Sequence, residues 1–196
     1  MALLIITVSA GQLGADDKAI LLEKRLINEI KMVNDQLDGV LGLAIKDLST
    51  GRTIFINENE IFPQASSIKI AILLEVLKQA DEGQLKLDDF INLTAEAKVG
   101  GGLILVYLGY PSLKLSIRDL CVLMVVLSDN TATNLLIDRV GMKNVNSRLQ
   151  SMGLKKTKLQ RKMMDVKAAD EGRENLSTPL EMMTLLDKIY KGPILS

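Results

Sequence analysis

The sequence contains no histidine. That excludes Ser-His-Asp and Cys-His catalysis, His-Glu-x-x-His zinc proteases and histidine-based pH switching. It contains one cysteine, Cys121, which excludes an internal disulfide, a four-cysteine zinc site and a Cys-x-x-Cys redox pair. Tryptophan is absent and aromatic residues make up only 3%, so stacking platforms for single-stranded nucleic acid are not expected. Neither sign of charge is in excess: 24 Lys and Arg face 24 Asp and Glu. A dedicated nucleic-acid binder normally carries a basic surplus. No apolar run reaches the ~20 residues that a membrane-spanning helix needs. Any nucleophilic chemistry must therefore take its base from Lys, Asp, Glu or Tyr.

Apolar side chains are plentiful: 47% of the 196 residues are hydrophobic, and mean hydropathy is +0.20. A chain of this length and composition buries a real core and is not intrinsically disordered. Residues 1–14 carry no charged side chain and include Leu3-Leu4-Ile5-Ile6-Thr7-Val8, followed by the small-x-small pattern Val8-Ser9-Ala10. This reads as a signal-peptide remnant without its basic n-region, which implies an extracytoplasmic (periplasmic or secreted) protein. A buried strand or a plain leader is the alternative reading.

From Asp16 to Gln36 apolar residues recur at helical spacing, which predicts an amphipathic helix. Leu41–Leu48 and Arg52–Asn57 are two short β-like runs joined by Ser49-Thr50-Gly51, a hairpin signature. After residue 60 the signals are helical and no further strand is expected. Helices are predicted over Ser67–Ala80, from the Ser116-x-x-Asp119 capping pattern to Leu127, from Thr131 to near Gly141, and over Lys143–Met152 with Gly153 as terminator. Thr178-Pro179-Leu180-Glu181 opens a last helix. Residues 154–177 show no sustained period and read as a long loop, a type of segment that is often functional. The organisation expected is α+β. It comprises a partial sheet domain over 15–60 with the N-terminal helix and hairpin, and a large helical domain over 61–196.

Two short patterns carry the chemistry. In Ser66-Ser67-Ile68-Lys69 the helix begins, and the residues after Ile70 are apolar on nearly every face, which predicts a buried helix. At i, i+3 spacing Ser66 and Lys69 share one side, roughly 5–6 Å apart at Cβ. A lysine drawn out of water has its pKa lowered and can act as a base toward a serine hydroxyl. The bland alternative is a capping serine and a snorkelling lysine. Downstream, the apolar run Cys121–Leu127 ends abruptly at Ser128-Asp129-Asn130. A hydroxyl and a carboxamide on such a connection can relay a proton and hold an amide. Helix capping is the alternative there.

Together the two patterns resemble the class A β-lactamases and related penicillin-binding serine hydrolases, whose motif set joins Ser-x-x-Lys to Ser-Asp-Asn. The hairpin over 42–57, the Gly-rich segment Val99–Ile104 and the helix starts at Leu115–Leu120, Ser128–Ile137 and Asn175–Glu181 resemble the same family. The likeness spans about residues 16–192. It implies the β-lactamase/transpeptidase-like fold and an acyl-serine mechanism. Ser66 would attack the lactam carbonyl, Lys69 would activate it, Ser128 would pass a proton to the leaving nitrogen, and Asn130 would hold the substrate's side-chain amide. The Ser66 backbone N–H would be one oxyanion donor.

The sequence departs from the family in two places. No Lys-Thr-Gly strand follows the last helix. Lys156-Thr157-Lys158 lacks the glycine and precedes the long loop. The chain is read accordingly as C-terminally truncated, without its later sheet strands. In the loop, Met163 or Met164 falls where the family places the Glu that activates the deacylating water. Asp165 is the nearest carboxylate, one methylene shorter, while Glu171 and Glu174 read as solvated charges. Cys121 and the nine methionines read as packing residues. The expectation is a serine hydrolase of β-lactams with catalytic Ser66, Lys69 and Ser128, substrate-binding Asn130 and Asp165 as a candidate water activator. Its partner would be a small-molecule β-lactam or related acyl compound. No cofactor or metal, no nucleic acid, no stable membrane insertion and a monomer when complete are further expectations. The competing readings are a DD-peptidase- or esterase-like acyl-serine hydrolase and a non-catalytic penicillin-recognising module.

Overall fold

The computed structural model describes residues 15–102, 104–109 and 112–192, so the signal-peptide reading of residues 1–14 lies outside the described residues. The chain divides into two units, 1–41 and 42–196. The first holds α1 (Ala15–Gln36), the helix expected from its periodicity. Leu22 and Val33 on it are solvent-exposed, and Arg25 pairs with Glu29 one turn on at 2.9 Å.

The second unit opens with the expected hairpin, β1 (Leu43–Lys46) against β2 (Thr53–Ile56), antiparallel with Leu43 opposite Ile56 and Lys46 opposite Thr53. Its turn is organised by one carboxylate. Asp47 accepts from the Ser49 and Thr50 hydroxyls, each at 2.6 Å, and from the Ser49 amide at 2.8 Å. These bonds to the charged form hold its carboxyl well below the ordinary aspartate range. Gly51 then supplies the positive φ of +75° that closes the turn.

Four further strands correct the expectation of none after residue 60. β3 (Phe62–Pro63) pairs with β6 (Leu176–Ser177), and β4 (Phe90–Leu93) pairs with β5 (Leu113–Ser116), both antiparallel. They are two to four residues long, too short for an alternating pattern to stand out.

The core is helical. α2 (Lys69–Asp81), preceded by a 3-10 turn over Ala65–Ile68, packs against α3 (Ile117–Val126), α4 (Asn130–Val140) and α5 (Met142–Ser151). Its all-round apolar character explains this central position: Ile68, Ile72, Leu74 and Val76 are buried, as are Leu120, Met124, Leu136 and Leu149 around them. A buried carboxylate is built into α2. Glu75 is 2% exposed, and its carboxylate receives Arg148 Nε at 2.9 Å and Gln79 Nε2 at 2.8 Å. Arg148 also reaches Glu82 at 2.9 Å, so one guanidinium ties α5 to α2.

Helices start where the caps predicted. Ser116 and Asp119 form a reciprocal capping box on α3. The long loop is less featureless than its sequence, because it contains α6 (Val166–Asp170). The last helix, α7 (Pro179–Tyr190), packs on β1, and Lys46 Nζ meets Asp187 Oδ2 there at 2.8 Å. None of the described helices is long and apolar enough to cross a membrane. Thr178 caps α7, but Glu181 does not close the box. Its carboxylate instead accepts from the Lys156 amide at 3.0 Å and from the Thr157 amide and hydroxyl, each at 2.6 Å. Glu181→Ala should strip partners from three donors at once and lower the unfolding free energy by about 2–3 kcal/mol, with unchanged m in urea denaturation.

Candidate active site

Ser66, Lys69, Ser128 and Asn130 come together although they lie on two segments about sixty residues apart. Lys69 is the first residue of α2 and is 4% exposed. Its Nζ donates to Ser128 O at 2.7 Å, Ser128 Oγ at 2.8 Å, Asn130 Oδ1 at 3.1 Å and Ser66 Oγ at 3.2 Å. Ser128 Oγ in turn donates to Ser66 Oγ at 3.0 Å. Ser66 Oγ thus stands between an amine and a second hydroxyl, a geometry in which a proton can leave in either direction.

The backbone around these side chains is strained. Ala65, just before Ser66, has φ +41°, and Ser128 has φ +53°. The left-handed region costs a non-glycine residue about 1–2 kcal/mol, and such conformations persist only where surrounding structure enforces them. At Ser128 the enforcement is visible. Asp129 is fully buried and caps α4, accepting from Ala132 N at 2.9 Å through Oδ1. Its Oδ2 accepts from Leu105 N at 3.2 Å, and Thr133 Oγ1 donates to its carbonyl at 2.7 Å. Helix capping by Asp129 and presentation of Ser128 are one device, so the two readings of Ser-Asp-Asn are not exclusive. The same residues strap the Gly-rich segment, with Val99 N donating to Thr131 Oγ1 at 3.0 Å and Asn130 Nδ2 to Gly100 O at 3.3 Å. A Cβ on Gly102 would stand 3.0 Å from Asp129 Oδ2, so the segment's close approach depends on glycine.

Burial pushes the Lys69 ammonium below the ordinary lysine value, and the Asp129 charge partly offsets the shift. Cys121 behaves oppositely: burial pushes its thiol up to about 11. A thiol held protonated in the core packs rather than reacts.

The long loop is held by asparagines that each serve both sides of a backbone segment. Asn134 accepts from Met163 N at 2.8 Å and donates to Met163 O at 3.1 Å. Asn146 does the same for Leu159, 2.9 Å each way. Asn175 accepts from Gln160 N at 2.7 Å and Arg161 N at 3.0 Å, and donates to Arg161 O at 3.2 Å. Arg161 also pairs with Glu174 at 2.9 Å, which corrects the reading of Glu174 as a solvated charge. The sequence analysis gave no role to Asn134 or Asn146, and placed Asn175 only at a helix start. Asparagine inside the predicted helices at 134 and 146 was a usable signal, since it is a weak helix former that competes for backbone bonds.

The clamp fixes Met163 with its side chain 7% exposed, while Met164 follows at φ +62° and is 49% exposed. Asp165 caps α6, its Oδ1 accepting from Ala168 N at 3.0 Å. Its carboxylate bonds that amide rather than Ser66, Lys69, Ser128 or Asn130. Among the described residues no group of three or more His, Cys, Asp or Glu is placed to hold a metal ion.

Comparison with known proteins gives concordant likenesses. The sequence profile of a family described as the beta-lactamase enzyme family matches residues 24–196. An imipenem-hydrolyzing β-lactamase from Enterobacter cloacae is 28% identical over 173 residues, covering 87% of this chain and 59% of that protein. The chain spans about three fifths of the length of that curated relative. Among solved structures, a β-lactamase from Sphaerobacter thermophilus is 36% identical with a TM-score of 0.73, covering 79% of this chain and 58% of its own. A PBP-A mutant, solved as an acyl-enzyme with penicillin G, is 30% identical with a TM-score of 0.78, covering 88% of this chain and 64% of its own.

The electrostatics of Lys69 can be checked directly. In a pH titration of lysine side-chain carbon signals, one lysine should lose its proton below the ordinary value of 10.5, and Lys69→Met should remove that signal. Asp129→Asn should move the titration lower still, because the aspartate charge raises it.

Proposed function

We propose that this chain, which belongs to the β-lactamase enzyme family, attacks β-lactam rings through Ser66 and forms an acyl-serine intermediate. One observation carries the reading: Ser66 Oγ lies 3.2 Å from Lys69 Nζ and 3.0 Å from Ser128 Oγ. In the neutral form that burial favours, Lys69 takes the Ser66 proton as Oγ bonds to the lactam carbonyl carbon. The carbon–nitrogen bond of the ring breaks, and Ser128 delivers its hydroxyl proton to the departing nitrogen while taking the Ser66 proton back from Lys69 Nζ, 2.8 Å away, which returns the lysine to its neutral form. Asn130 holds the amide beside the ring. The E. cloacae relative's name attaches hydrolysis of a β-lactam to a similar chain, and the PBP-A structure attaches a penicillin acyl group to another. The reactants reach the protein in an extracytoplasmic compartment on this proposal, where such compounds are met first.

Deacylation is the slower half. By the family resemblance Met163 or Met164 falls at the loop position of the glutamate that would activate water, and the Asp165 carboxylate is engaged by the Ala168 amide. This favours the neighbouring reading of an acyl-serine hydrolase with a long-lived adduct over that of a fast antibiotic hydrolase.

Intact-protein mass spectrometry after addition of benzylpenicillin tests both halves. A mass increase equal to the penicillin should appear, persist over time and vanish in Ser66→Ala. Lys69→Ala should slow its formation by about 10²–10⁴. Rapid turnover without adduct, slowed by Asp165→Asn, would show that the loop aspartate activates water after all. Labelling that survives Ser66→Ala would refute the nucleophile.

A further inference from the structure

Ala65, directly before the nucleophile, sits at φ +41°. Packing does not hold it there. Ala65 and Ser66 are both exposed, and a cavity of about 300 Å³ borders the flanking residues Gln64 and Ser67. An alanine free to relax would leave the left-handed region, where its Cβ crowds the following carbonyl. Ser66 would turn with it.

The bonds that prevent this converge on Gln64. Its backbone N–H donates to Asn175 O at 2.8 Å, and its side-chain Nε2 donates to Leu176 O at 2.7 Å. One residue thus grips two successive carbonyls at the end of the long loop. Leu176 O already accepts from Lys158 N at 2.8 Å, so the carboxamide takes that carbonyl's second lone pair. On the other side of Ser66, Ser67 is bonded back to the same residue. Its N–H donates to Gln64 O at 2.9 Å, and its hydroxyl donates to Gln64 O at 2.6 Å, with Gln64 Oε1 3.2 Å away. Ala65 and Ser66 are therefore the middle residues of a turn whose ends are joined through Gln64. The loop end that Gln64 grips is itself fixed, since the Asn175 side chain holds Gln160 and Arg161. No side chain caps the 3-10 turn; the carboxamide at its N-terminal end is spent on Leu176 instead.

We propose that Gln64 is a positioning residue for Ser66: its carboxamide, anchored on Leu176 O, holds Ala65 in the left-handed region and so keeps Ser66 Oγ within reach of Lys69 and Ser128. Gln64 touches no reacting atom and acts through the backbone of the next residue. The inference rests on the acyl-serine reading for its kinetic test. Loss of the carboxamide falls on the chemical step, because the group takes no part in holding substrate. The loss also depends on the residue at position 65, because glycine adopts a positive φ without strain.

The experiment follows acylation of Ser66 over a range of benzylpenicillin concentrations by intact-protein mass spectrometry. Gln64→Met keeps the length of the side chain and loses its hydrogen-bonding groups. It should lower the limiting acylation rate about tenfold, on the scale of the left-handed strain, while the half-saturating concentration stays within about twofold. In an Ala65→Gly background the same substitution should cost no more than about twofold. A limiting rate unchanged in Gln64→Met overturns the proposal. So does an equal fall in both backgrounds, the additive result of a merely structural loss. So does a rise in the half-saturating concentration alone. If Gln64→Met does not fold, Gln64→Glu takes its place, since it keeps the acceptor for Ser67 and loses the donor to Leu176 O, and the same outcomes apply. If benzylpenicillin does not label the parent protein, the acyl-serine reading fails, and crystal structures decide the positioning role alone. Ala65 should leave the left-handed region in the Gln64 variant and keep it in the parent. A φ still near +41° in the variant overturns the proposal independently of the chemistry.

Discussion

A lysine ammonium taken out of water must be met by acceptors, and the arrangement around Lys69 follows from that requirement. Leaving such a charge unpaired in a protein interior costs several kcal/mol. Here four oxygens converge on Nζ, three of them from Ser128 and Asn130. Those residues reach it only because the α3–α4 connection turns through a left-handed serine, and the serine is held only because Asp129 is anchored behind it. The strain at Ser128, the buried aspartate and the glycines beside them are thus consequences of one buried cation. The same amine stands 3.2 Å from the Ser66 hydroxyl.

The second organising device is polar clamping of a segment with little regular structure. Residues 154–177 contain one short helix and few ladder bonds, so their amides and carbonyls need partners from elsewhere. Asparagine carboxamides supply them in donor–acceptor pairs, at Leu159, Gln160–Arg161 and Met163. A carboxamide does this without adding charge, which suits a segment laid over an apolar core. The arrangement fixes the backbone near the site while leaving the choice of side chain at 163 and 164 open. Two methionines stand there, and the bonds from Asn134 reach the Met163 backbone, not their side chains.

Helices, caps and the hairpin were readable because each rests on local physics. Apolar spacing marked α1 and α2, and Ser116, Thr178 and Gly153 marked ends that need a cap or a positive φ. The Ser66–Lys69 pair was readable from spacing, and its link to Ser128 and Asn130 from resemblance. The short strands escaped because two or four residues show no period. Glu174 and the asparagines escaped for a different reason: their partners are set by tertiary approach, thirteen to twenty-nine residues away. Glu181 shows both sides of this limit. Its position correctly predicted a helix start, while its carboxylate is spent on Thr157, a residue that local reasoning had no cause to pair with it.

The sequence separation within the Lys69 cluster sets an order of events during synthesis. Asn130 lies 61 residues beyond Lys69. At ~5–20 residues per second the ribosome needs about 3 to 12 s to supply it. For most of that interval α2 is complete and apolar nearly all round, while α3, α4 and α5 have yet to cover it. Its lysine has no reason to leave water until the α3–α4 turn exists. The nascent helix is accordingly an open adhesive surface for seconds, and the closing of the site coincides with the moment that surface is hidden.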